Sequence, residues 1–155
     1  YGLAYSNIGG PMRLVLALIT VTNPAWAACA SDEHTFMSCT FANGKAVEVC
    51  MTDNVARYSF GRPGQTPELA LSLRFGQGAE FVPWNGIGRT ISEAVRLTNN
   101  DVTYEVYGGL DKFEAFEDDP NDDIYPLFGG IYIEDRQGKE LAYLECIPST
   151  VTYAY

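Results

Sequence analysis

In four stretches of this chain, apolar side chains recur at every second position. Leu69, Leu71 and Leu73 alternate with Ala70 and Ser72, and Val102, Tyr104 and Val106 alternate with Thr103 and Glu105. Leu141, Tyr143 and Ile147 share a parity that Glu145 breaks, and Val151, Tyr153 and Tyr155 alternate to the last residue. Successive side chains of a strand point to opposite faces, so a period of two marks half-buried strands. Turn signals stand between the runs at Asn43-Gly44, Gly61-Arg62-Pro63-Gly64, Asn99-Asn100-Asp101 and Arg136-Gln137-Gly138-Lys139. This spacing predicts an all-β fold, a small antiparallel barrel or sandwich of about 8 strands. Thr90 to Leu97 could also form one short helix, but Val102 follows too closely across a turn, and a strand is preferred.

The compartment decides how the cysteines are read. Arg13 is a short basic region, Leu14 to Val21 is apolar apart from Thr20, Pro24 breaks the run, and Ala25-Trp26-Ala27 is an A-x-A cleavage pattern. The apolar run is too short for the roughly 20 residues that cross a bilayer. The expected layout is therefore an upstream extension over 1–11, a cleavable signal peptide over 12–27 and a single β-domain over 28–155. The location would be periplasmic or secreted. A different cleavage would leave Cys29 as a lipid-anchored residue.

Export makes disulfides the expected state of Cys29, Cys39, Cys50 and Cys146. Zinc prefers C-x2-C pairs or several histidines, and the chain has only His34. Connectivity turns on the stretch Cys39-Thr40-Phe41-Ala42-Asn43-Gly44-Lys45-Ala46-Val47-Glu48-Val49-Cys50. A two-residue turn at Gly44-Lys45 would set Cys39 opposite Cys50. A turn at Asn43-Gly44 would set Cys39 opposite Glu48, favouring Cys29–Cys50 with Cys39–Cys146. A second segment, Gln137 to Cys146, also runs Gly-Lys, strand, cysteine. Two hairpins of one type would explain that echo.

The acidic loop 111–123, Asp-Lys-Phe-Glu-Ala-Phe-Glu-Asp-Asp-Pro-Asn-Asp-Asp, departs from the strand pattern. Of the whole chain's charges, all 20 Asp and Glu but only 9 of the 10 Lys and Arg follow position 27, a net of −11. That charge argues against nucleic acid and for a basic protein as partner. Glu117, Asp118, Asp119, Asp122 and Asp123 are the candidate steering residues, and Trp84, in the Pro/Gly-rich stretch 80–88, is the candidate anchor or a plug for one end of the barrel. The loop's oxygens could also hold calcium, although they do not follow the twelve-residue calcium-loop pattern. No metal or other cofactor is expected, and no catalytic residue is assigned. His34 lies in the first few residues of the expected domain, and the cysteines are committed elsewhere.

The export signal, an early Phe-Met-Ser-Cys strand (36–39) and a late Ala-Tyr-Leu-Glu-Cys strand (142–146) give a layout that resembles the periplasmic and membrane-anchored inhibitors of C-type lysozyme. The resemblance implies a disulfide-bonded β-barrel that blocks a basic hydrolase. That family's Ser-Gly-x-x-Tyr motif is absent, so no inhibitory residue carries over. The expectation is a monomeric, exported bacterial binding protein, an inhibitor or immunity protein against a basic envelope-acting enzyme or toxin. A calcium-stabilised adhesive module and a carboxylate-dependent hydrolase are the alternatives.

Overall fold

The computed structural model describes residues 28–112 and 125–154. The strands are β1 His34–Thr40, β2 Ala46–Met51, β3 Val55–Gly61, β4 Leu69–Phe75, β5 Gly78–Val82, β6 Thr90–Asn99, β7 Val102–Asp111, β8 Leu127–Asp135, β9 Glu140–Glu145 and β10 Thr152–Tyr153. They form one sheet in the order β10-β1-β2-β3-β4-β5-β6-β7-β8-β9. Neighbours are antiparallel except for a two-pair parallel contact between β4 and β5. The sheet curls into a half-barrel around its own core, so the fold is the barrel-like alternative, and among the described residues there is no second sheet to make a sandwich. Among the described residues ten strands stand where about 8 were expected. β5, of five residues, is too brief to show a period, while β10, of two, lies in the expected run Val151 to Tyr155, with Tyr153 buried. Thr90 to Leu97 is strand, paired along its length with β7.

The alternating positions line the core as expected in the first two runs. Leu69, Leu71, Leu73 and Tyr104 pack against a buried cluster that includes Val47, Val49, Tyr58, Val95, Leu97, Val106 and Ile131. The third run is a correction. On β9, Ala142 and Leu144 lie on the more buried parity, and Leu141 and Tyr143 face out at 52% and 42% exposure. Both parities of β9 are apolar, so alternation alone does not pick the inward one, and the strand also carries an irregularity at its start. Ile133 pairs with Ala142 but Glu134 pairs with Glu140, which leaves Leu141 as an extra, bulged residue.

The 39–50 hairpin uses neither two-residue turn. The Phe41 N–H donates to the Lys45 carbonyl and the Gly44 N–H to the Phe41 carbonyl, so the loop is the three residues Ala42-Asn43-Gly44. Gly44 sits at φ 76°, the left-handed region where a side chain is costly. Cys39 therefore faces Val47. Asp135 to Lys139 repeats the same loop, with Gly138 also at φ 76°, so the sequence echo is two hairpins of one type.

The disulfides are Cys29–Cys50 and Cys39–Cys146. The second joins β1 to the residue after β9, where Phe41 pairs with Cys146 and the Ile147 N–H donates to the Thr40 carbonyl. Beyond this corner the chain makes one 3-10 turn over Pro148–Thr150, and β10 then pairs with β1 through Met37 and Tyr153. The sheet thus closes on itself at one corner. Closure needs close approach. A Cβ on Gly108 would sit 2.5 Å from the Tyr153 ring and 3.1 Å from Met37.

The other disulfide ties residues 29–33 across the outside of β2 and β3. Glu33 there pairs with Arg57. The Arg57 hydrogen bond, followed by the Ala30 N–H, holds the Glu33 carboxyl down at about 2. That contribution is present above the ordinary carboxylate range and is lost as pH falls towards 2. Glu48 lies under the same segment with Oε2 enclosed and unpartnered. Burial pushes its pKa up, with the Arg57 charge offsetting part and Glu33 adding to it. A raised carboxyl favours folding less once it ionises, so Glu48 costs stability above the ordinary carboxylate range. Glu48→Gln is expected to raise stability by about 1 kcal/mol at pH 7, with the gain closing below about pH 4. Thermal melts of both proteins at the two pH values check this, and a gain independent of pH would refute it.

Candidate functional site

Outward parity on β7, β8 and β9 carries aromatics where a solvated face would carry polar residues. Among the described residues, the large hydrophobics left exposed are Phe81, Ile87, Tyr132, Leu141, Tyr143 and Ile147. Four of them come from β8, β9 and the exit of β9, so the exposure is concentrated and not scattered. Tyr132 and Tyr143 are directly paired across the strands, with ring centroids 4.7 Å apart. Tyr107 joins them from β7. Its ring is parallel to that of Tyr143 within 5°, at 6.5 Å, and the two hydroxyls are hydrogen-bonded at 2.7 Å. Phe128 extends the row, 6.4 Å from Tyr107.

Two glycines make this surface possible. Tyr107 pairs with Gly130, and Gly109 pairs with Phe128. A Cβ on Gly130 would lie 2.6 Å from the Tyr107 hydroxyl oxygen. Without that Cβ, Tyr107 lies across β8 and reaches Tyr143 on β9. Phe128 covers Gly109 in the same way, its ring tip 2.5 Å from where a Cβ would stand.

The rim is acidic. Glu134, Glu140 and Glu145 stand on β8 and β9. Glu105 pairs across from Tyr132 and is bound by Arg96, which also approaches Glu80 at 3.9 Å. Burial, the Tyr143 hydrogen bond and the nearby negative charge of Glu145 push the Tyr107 phenol up, so it stays neutral as pH rises past the ordinary phenol range. A shallow hollow of about 270 Å³ adjoins Tyr107 and Tyr132, walled by Val82, Ser92, Ala94 and Glu105. The arrangement offers flat, rigid, amphipathic contact area with carboxylates around it. Such surfaces suit association through aromatic anchors. A larger cleft, of about 1020 Å³, opens where β4 and β5 part, and its apolar floor of Phe75, Ala79 and Phe81 meets a rim of Asp53, Glu80 and Arg96.

The structure describes only some of the expected site residues. Glu117, Asp118, Asp119, Asp122 and Asp123 lie outside the described residues, and so does most of the acidic loop. Its first two residues are described, and Asp111 accepts hydrogen bonds from Arg89. Trp84 is half-buried, with the Lys112 ammonium 4.7 Å over its ring and its indole nitrogen enclosed without an acceptor. The exposed tyrosines of the described residues lie on β8 and β9. Cys29, Cys50 and Glu48 converge within metal-ligand distance, but both sulfurs are spent on each other. The same bond leaves no thiol at Cys29 for a lipid. The exposed His34 opens β1 opposite Met51. Among the described residues, no helix is long and apolar enough to cross a membrane.

Comparison with protein-family models, with curated proteins and with solved structures finds no match to this chain. The likeness to lysozyme inhibitors thus rests on layout alone.

The sequence does carry a signal for the aromatic face. Val106, Ile131 and Leu144 are inward, so Tyr107, Tyr132 and Tyr143, each one residue away, must be outward. What hides the signal is that β8, Leu-Phe-Gly-Gly-Ile-Tyr-Ile-Glu-Asp, is apolar on both parities.

Proposed function

We propose that this chain is an exported binding protein whose outer β7–β9 face docks a basic protein, as an inhibitor or immunity protein would against an envelope-acting enzyme or toxin. The observation that carries the reading is the row Tyr132, Tyr143 and Leu141, exposed on a sheet face inside a rim of carboxylates, with the half-buried Tyr107 hydrogen-bonded to Tyr143 beside them. Tyrosines of this kind give contact area at low entropic cost, and the rim acids raise the encounter rate with a cation and reject anions. The two disulfides fit an oxidising compartment. The mechanism is occlusion: the face covers a basic surface of the partner and performs no chemistry on it.

The test compares the chain with its Tyr132→Ala/Tyr143→Ala variant as immobilised bait for basic envelope proteins. Both positions are largely exposed, so the fold should survive. Loss of two tyrosine anchors is expected to weaken retention by about 2 kcal/mol or more, roughly thirtyfold. Retention should also fall with added salt. Equal retention by wild type and variant would remove the face from the mechanism.

A further inference from the structure

We infer that the free edge of β9 is a strand-addition site, and that its occupant is an extended basic segment of the partner. This rests on the reading above that the partner is cationic, and it specifies how that partner engages.

The two ends of the sheet are treated differently. At one end, β1 is covered: β10 pairs with Met37 and Ser38, and the Thr40 N–H is taken by the Thr150 hydroxyl. At the other end, β9 pairs with β8 alone. Contact with β1 begins only after β9 ends, at Cys146 and Ile147. Six residues, Glu140–Glu145, thus present one edge with no strand partner among the described residues. That edge is about 20 Å long at strand spacing. Unpaired edges of this kind are usually blunted by lysine, proline or extreme shortness. Glu-Leu-Ala-Tyr-Leu-Glu contains neither lysine nor proline, and its bulge at Leu141 and its two glutamates lie towards its ends, which leaves Ala142 to Leu144 as a regular, uncharged stretch of edge.

Charge selects the occupant. Glu140 and Glu145 stand at the two ends of the strand and are both exposed. A second copy pairing antiparallel about Ala142 and Tyr143 would set Glu140 against Glu145 twice, between chains that each carry a formal net charge of −10 over the full sequence. Like charges directly opposite destabilise a strand pair. A segment with lysine or arginine near each end reverses both contacts. Its apolar side chains between them would continue the outer face beside Leu141 and Tyr143. Main-chain bonds would then supply affinity and the flanking acids specificity.

The probe is an eight-residue peptide of alternating valine and lysine, tested on the full chain by residue-resolved amide hydrogen exchange. Addition is expected to slow exchange of the open-edge amides within Glu140–Glu145 by about tenfold or more. The same peptide N-methylated throughout should give no such slowing, because it cannot donate to the edge. A valine–glutamate peptide should give none either. Leu141→Lys is expected to abolish the effect without altering the melting temperature, since Leu141 is 52% exposed. Equal protection by the methylated peptide, or protection absent from β9, overturns the edge proposal. If cationic peptide still shifts Tyr107 and Tyr132 in that case, the face reading survives alone. If neither edge nor face responds, both fall. Protection of β9 that rises with protein concentration in the absence of peptide would assign the edge to a second copy and refute the basic occupant.

Discussion

Replacing Cys39 and Cys146 together by alanine is expected to lower stability by about 4.7 kcal/mol, the loop-closure contribution of a cross-link spanning roughly 100 residues. The observed separation is 107. The bond stands where β1 meets the exit of β9 through Phe41 and Cys146, so its loss also frees the corner. Both sulfurs are buried in the main core, and truncating them leaves a small void that adds to the cost. Removing Cys29 and Cys50 instead, a separation of 21, is expected to cost nearer 3 kcal/mol. Urea unfolding of the two double variants under non-reducing conditions checks the order. A smaller loss for the Cys39/Cys146 variant would mean that closure does not depend on that bond.

Gly130→Ala is expected to destabilise by about 2–3 kcal/mol, against the sign that strand propensity alone would give. Alanine in a strand interior ordinarily gains roughly 0.5–1 kcal/mol over glycine. Here its Cβ would lie 2.5 Å from the Leu144 carbonyl oxygen and 2.6 Å from the Tyr107 hydroxyl. The first contact is backbone of β9, so β9 must shift on β8. The second displaces Tyr107 from its bond to Tyr143. A denaturation midpoint and tyrosine fluorescence report the two consequences separately. A stabilised variant would show that the close approach is not real, and with it the bridging of β8 by Tyr107.

Gly130 also shows where sequence reading stopped. Leu-Phe-Gly-Gly-Ile-Tyr-Ile-Glu-Asp could be recognised as strand, but its two glycines gave no reason to place aromatics over them. The need for glycine there comes from a side chain on β7 reaching β9, a contact across 36 residues of sequence. The bulge at Leu141 was hidden for a related reason. Leu141 and Tyr143 on one parity and Ala142 and Leu144 on the other are all apolar, so alternation did not say which faces the core, and the bulge shows only in the pairing with β8.

The chain by itself determined the class of fold, the inward residues of β4 and β7, the use of all four cysteines in disulfides and the positions of the turns. These follow from local physics: side-chain alternation, the backbone freedom of Gly44 and Gly138, and the even number of cysteines. Only the tertiary structure decided between the two cysteine maps, because the three-residue loop 42–44 set Cys39 opposite Val47 and sheet curvature brought Cys146 to it. Only the tertiary structure, too, decided that β1 is covered and that, among the described residues, β9 has one edge without a strand partner. Which edge of a sheet is left unpaired depends on where the curl closes, and no residue of β9 encodes that alone.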